Sequence, residues 1–184
     1  AFATAGHDAW SCDFLPSDLK GKHIEGDVLP LLDKGWDLMI AFPPCTYLSR
    51  AGARWWKLPN RQVLADQAVQ FVFQLRDASI PHIAIENPIG QLNQRWRYPD
   101  QTIQPYQFGH PFSKAPCLWL KNLPKLRPTQ VLDHWEPLLP SNVGWGKRMG
   151  QKSSPGSVFN AHNASRTFSG IAEAMASQWG NLLC

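Results

Sequence analysis

The stretch Trp36-Asp37-Leu38-Met39-Ile40-Ala41-Phe42-Pro43-Pro44-Cys45 decides how this chain is read. A short, largely apolar run that stops at two prolines has the pattern of a buried strand. A second run, His82-Ile83-Ala84-Ile85, leads into Glu86-Asn87-Pro88. Between them Leu64, Ala68, Phe71, Val72 and Leu75 recur at helical spacing, one face of a helix packed on a sheet. Strand, helix and strand within about 45 residues form a crossover unit, which implies a parallel sheet. Residues just past the carboxyl ends of neighbouring parallel strands line the ligand crevice of an open α/β sheet. The pattern therefore sets a thiol, Cys45, and a carboxyl, Glu86, at one crevice.

Outward from this unit the elements are shorter. Asp8-Ala9-Trp10-Ser11-Cys12 reads as a strand ending at Asp13, and His23 to Val28 as an edge strand or turn with Gly26-Asp27 in the bend. Leu29 to Lys34 is a brief helix closed by Gly35. Cys117-Leu118-Trp119-Leu120 is a further strand. A last helix covers Ser169 to Trp179, with Ile171, Met175 and Trp179 on one stripe. The segment 124–163 is rich in Pro, Gly, Ser and Asn, and is expected to be long loops or a small recognition segment within a single domain spanning 1–184. The opening Ala1-Phe2-Ala3-Thr4-Ala5-Gly6 reads as the tail of a helix closed by Gly6 at C′, so the chain is expected to begin partway through a domain.

Composition narrows the partners. No apolar stretch approaches the roughly 20 residues of a membrane helix, and the first residues lack the basic start of a signal peptide. Cys12, Cys45, Cys117 and Cys184 form no CxxC pair, which fits a reducing cytoplasm, and no His/Cys spacing suggests a metal. A net charge of +4 permits a polyanionic partner. Nine tryptophans in 184 residues exceed ordinary use; most are expected to be core or rim packing and some to be stacking surfaces.

An isolated cysteine at a strand end is most simply a small buried hydrophobe. Pro43-Pro44 shifts that reading, because two prolines remove two backbone donors and stiffen a loop that holds a side chain at fixed reach. A glutamate ending an apolar strand is poorly placed without a partner, and Asn87-Pro88 forces an extended exit.

Pro-Pro-Cys after one strand and Glu-Asn-Pro after the next resemble the paired motifs of the cytosine-C5 DNA methyltransferases, whose usual forms are Pro-Cys and Glu-Asn-Val. Gly26-Asp27-Val28 and Gln178-Trp179-Gly180-Asn181 resemble further signatures of that family, and the short, phage-type members are the nearest in pattern. The resemblance implies a Rossmann-like, S-adenosylmethionine-dependent methyltransferase fold with a mostly parallel sheet and flanking helices, here truncated at its first strand and cofactor loop. It implies Cys45 and Glu86 as catalytic groups, and Asp13, Asp27, Pro43 and Asn181 around S-adenosylmethionine. It implies Asn87, Lys114, Arg50 and Arg54 at the substrate, with Arg166 a more distant candidate. The partner implied is cytosine-containing DNA, met by a monomer in a bacterial or phage-infected cell. Without the first strand, the chain is expected to bind the cofactor poorly.

The chemistry accounts for the residue types. C5 of cytosine is a weak nucleophile until a thiolate adds at C6, and an acid at N3 stabilises that adduct. A duplex base must first be flipped out. Arg50-Ala51-Gly52-Ala53-Arg54-Trp55-Trp56-Lys57 interleaves cations with aromatic rings, as does Arg95-Trp96-Arg97-Tyr98, a mixture suited to phosphates and bases or to a merely solvated loop. Three other readings stay open: a free cytosine nucleotide as substrate, a non-catalytic nucleic-acid-binding remnant, and a thiol hydrolase using His82 or His110.

Overall fold

The computed structural model describes residues 1–137 and 167–183. The strands are β1 (Trp10–Asp13), β2 (Lys22–Glu25), β3 (Leu38–Ala41), β4 (His82–Pro88), β5 (Gln101–Thr102), β6 (Phe112–Ser113), β7 (Pro116–Lys121) and β8 (Glu136–Pro137). The helices are α1 (Pro59–Arg76), α2 (Gln91–Arg95) and α3 (Ser169–Trp179), joined by short 3-10 turns. Arg166 and most of 124–163 lie outside the described residues.

The four-stranded sheet runs β3-β4-β7-β5. β3 and β4 are parallel, joined through α1 as the crossover pattern implies. β7 then pairs antiparallel to β4, and β5 antiparallel to β7. The chain is thus a mixed α/β fold with small sheets, and the mostly parallel sheet of the sequence reading does not hold for its centre. The reason is local. After β4 the chain returns through short turns rather than a second long helix, so it re-enters the sheet from the opposite direction.

Alternation along β4 builds two cores. Ile83 and Ile85 face α1, where Val69, Val72, Leu75 and Trp119 complete the cluster. Ala84 faces α3 with Leu118, Ile171, Ala174, Met175 and Trp179. Helices on both faces explain why β4 reads as a continuous apolar run. Trp119 and Trp179 are buried, each with its indole N–H satisfied, by the Arg97 and Pro124 carbonyls at 2.9 Å. The stripe on α3 is the one expected. On α1 the buried face is Ala65, Val69, Val72 and Leu75, whereas Leu64 is 37% exposed, so the helix is rotated from the spacing first read.

β1 and β2 form a separate parallel ribbon. Trp10 of the ribbon meets Trp36, just before β3, edge to face at 6.5 Å. No ladder joins β1 to β3 among the described residues, and all four residues of β3 are only half-buried. The opening turn behaves as expected. The Gly6 N–H donates to Ala3 and the His7 N–H to Phe2, at 3.1 Å each, with Gly6 at φ +94° and the Phe2 and His7 rings in contact. That is a Schellman closure, and a glycine suits its left-handed position.

The corrected helix face is testable. Val69→Ala should cost about 2 kcal/mol in urea denaturation and Leu64→Ala less than about 0.5 kcal/mol; the reverse order would restore the first reading.

Candidate active site

Glu86 and Cys45 reach their places by different routes. Glu86 lies within β4 rather than past its end, because β7 extends the ladder to Asn87 opposite Cys117 and Pro88 opposite Pro116. Its register partner is Leu118, so its side chain shares the α3 face with Ala84. There Glu86, Lys114, Phe42, Ile103, Pro116, Phe168, Ile171 and Met175 line a cavity of about 20 Å³, the space of a single water.

Cys45 is exposed on the loop beyond β3 and does not line that cavity. Its backbone carbonyl accepts the N–H of Leu48 at 3.0 Å and of Ser49 at 2.8 Å, so the chain turns helically at once. The flanks of this loop are fastened to the exit of β4. The buried Asn87 donates from Nδ2 to the Pro43 carbonyl at 2.8 Å. The Gln91 N–H donates to Leu48 at 2.8 Å and the Arg50 N–H to Ile89 at 2.9 Å. Gly90 permits that approach, since a Cβ there would stand 1.9 Å from the Leu48 carbonyl oxygen. Sequence reading missed Gly90, although a glycine two residues after Pro88 is a standing hint of close backbone contact.

The electrostatics couple the two groups. Burial pushes the Glu86 carboxyl above the usual carboxylate range, while the Lys114 ammonium pulls it down. Although its residue surface is open to solvent, the Cys45 thiol is partly desolvated by its neighbours, which pushes it up, and the Glu86 carboxylate pushes it further; a backbone hydrogen bond and Lys114 act against both. Lys114, on the turn between β6 and β7, thus serves as counter-charge to each. Asn87 offers a buried Oδ1 with no partner.

The other expected residues divide. Asp13 and Asp27 converge at the carboxyl end of the ribbon, where both raise the thiol of Cys12 after its partial burial. Each also closes a local turn, through Oδ1 to the N–H of Leu15 and of Leu29, at 3.0 Å. Asn181 lies elsewhere, on the turn after α3, where Gly180 backs onto His7 ahead of β1. Gln178 is committed to the backbone of Arg127 by two hydrogen bonds, and Pro43 is buried behind the loop. Asp13 and Asp27 thus share the end of the ribbon, whereas Pro43 and Asn181 stand on other elements. Arg50 and Arg54 sit on the helical turn Arg50–Trp55, where Arg54 lies 4.9 Å from the centroid of Trp55, itself 47% exposed.

The two histidines considered as a hydrolase base, His82 and His110, are both held by other contacts. His82 opens β4, at the end opposite Glu86, and bonds the Asn122 carbonyl. His110 Nε2 accepts the Gly170 N–H at 3.0 Å. Among the described residues no three His, Cys, Asp or Glu side chains group to hold a metal, and no helix is long and apolar enough to cross a membrane. No family model, curated protein or solved structure matches the chain.

A carboxyl raised by folding favours its neutral form, so its contribution to stability is complete below the ordinary Glu range and is lost as pH rises through the raised value. Glu86→Gln should therefore melt above the wild type at about pH 8, with the gap closing as pH falls toward about 4. A gap independent of pH would show that Glu86 is not held against its charge.

Proposed function

We propose that this chain activates C5 of cytosine in DNA for methyl transfer, with Cys45 as nucleophile and Glu86 as acid. The observation that carries the proposal is the fastening of the Cys45 loop to the exit of the Glu86 strand, where the Glu86 carboxylate acts on the Cys45 thiol and Lys114 acts on both. The Cys45 thiolate bonds to C6, and the displaced electron pair moves toward N3, which takes the proton from Glu86. The resulting enamine is electron-rich at C5. After C5 has accepted an electrophile and given its original proton to water, the C5–H electron pair expels sulfur from C6 as the thiolate and Glu86 recovers the proton from N3.

Glu86 is suited to this because burial keeps its proton closer to neutral pH than an open carboxyl would. Its protonation also removes the carboxylate that opposes ionisation of Cys45, so the acid and the thiolate are favoured together. The cavity beside Glu86 has room for about one water, so a base needs more space there than the cavity itself offers. The net charge of +4 and the Arg54–Trp55 pair beside the loop support a nucleic-acid substrate. The family resemblance names S-adenosylmethionine as methyl donor and implies a Rossmann-like methyltransferase fold acting as a monomer. Asp13, Asp27, Pro43 and Asn181 would hold that donor, while Cys45 and Glu86 activate the base.

That half-reaction needs no donor. Water can supply the electrophile, a proton, so the enzyme should release tritium from C5 of labelled cytosine in duplex DNA. Cys45→Ala should abolish release and Glu86→Gln should reduce it about 100-fold. Release from deoxycytidine monophosphate but not from DNA would shift the substrate to the free nucleotide. DNA binding without any release would leave a binding remnant and reject catalysis.

A further inference from the structure

The loop of Cys45 is fastened at both flanks, by Asn87 to Pro43 and by Gln91 to Leu48, yet the residues next to the sulfur lie between those points. What reaches them comes from α1. Arg61 donates from Nη2 to the Thr46 carbonyl at 3.1 Å, and its guanidinium carbon lies 4.4 Å from the centroid of the Tyr47 ring. The same nitrogen stands 3.5 Å from where a Cβ on Gly52 would lie, so it also abuts the backbone of the Arg50–Trp55 turn.

Arg61 is out of place by the rules of its own helix. α1 begins at Pro59 after Leu58, which gives no side-chain cap, and its first turn contains no acidic residue. A cation in that turn opposes the positive end of the helix dipole. Its Nε is buried without a partner. A local rule broken in this way calls for a compensating gain, and that gain is the hold on Thr46 and Tyr47. The charges that act on the Cys45 thiol are those of Glu86 and Lys114, so Arg61 works by position rather than by field.

We infer that Arg61 is a positioning residue for the nucleophile, fixing the Thr46 carbonyl and the Tyr47 ring and through them the reach of the Cys45 sulfur toward the base. This rests on the base-activation reading above. A planar fork suits the double task, since lysine can donate to Thr46 but cannot lie flat on Tyr47.

The experiment pairs two measurements on Arg61→Gln. Hydrogen exchange at the Leu48 and Ser49 amides should quicken at least about tenfold, with Ile83 to Ile85 unchanged. Tritium release from C5-labelled duplex DNA should slow at least about tenfold at saturating DNA, with the half-saturating DNA concentration and the pH profile unchanged. Should this variant melt below the assay temperature, Arg61→Lys carries the same comparison with a smaller loss. Unchanged amide exchange overturns the inference whatever the chemistry does. Faster exchange with undiminished release overturns the catalytic role, as does a loss confined to DNA affinity. If the wild type releases no tritium, the base-activation reading fails, and amide exchange still decides whether Arg61 holds the loop.

Discussion

The site depends on a backbone contact that leaves no room for a side chain. At Gly90 the exit of β4 lies so close to Leu48 that the two segments bond through their main chains on either side of it. Asn87 repeats the connection one turn earlier by bonding the Pro43 carbonyl from a fully buried position. The loop carrying the thiol and the strand carrying the carboxyl therefore cannot move independently. Under the proposed base activation, in which the two groups act on one small ring, such coupling is worth more than an additional contact to the ring.

A second consequence follows from which face of the sheet Glu86 occupies. Its register opposite Leu118 turns it toward α3, whose Ile171 and Met175 help form the apolar wall around it. The helix at the far end of the sequence thus sets the solvation of a carboxyl in the middle. Lys114 keeps the ionised form from becoming prohibitive, and the same ammonium favours the thiolate of Cys45. One cation balances two acids, of which the proposed chemistry needs one charged at a time.

Much of this frame was legible in the residues. The apolar runs before Cys45 and Glu86, the helix between them and the stripe on α3 follow from period and breakers, because burial on both faces of β4 leaves a strong pattern. What escaped was tertiary. The antiparallel return of β7 hangs on the short turns after β4, and it carried the ladder past Glu86 instead of ending there. On α1 the buried set moved from Leu64 to Ala65 and Val69, since neighbouring apolar residues allow two faces and packing on Ile83 and Ile85 selects one. Of the late signature, Gln178 and Trp179 also serve the fold itself, bonding the backbone of Arg127 and Pro124.

The central claim is that the sulfur of Cys45 and the carboxylate of Glu86 sense one another across a shared site. The most direct measurement is the pH dependence of Cys45 alkylation by iodoacetamide, followed by mass spectrometry of the labelled peptide in the wild type and in Glu86→Gln. Removing the carboxylate charge should move the alkylation curve to lower pH, because a negative neighbour no longer opposes the thiolate. Superimposed curves would contradict the account, for they would place the two groups in separate surroundings.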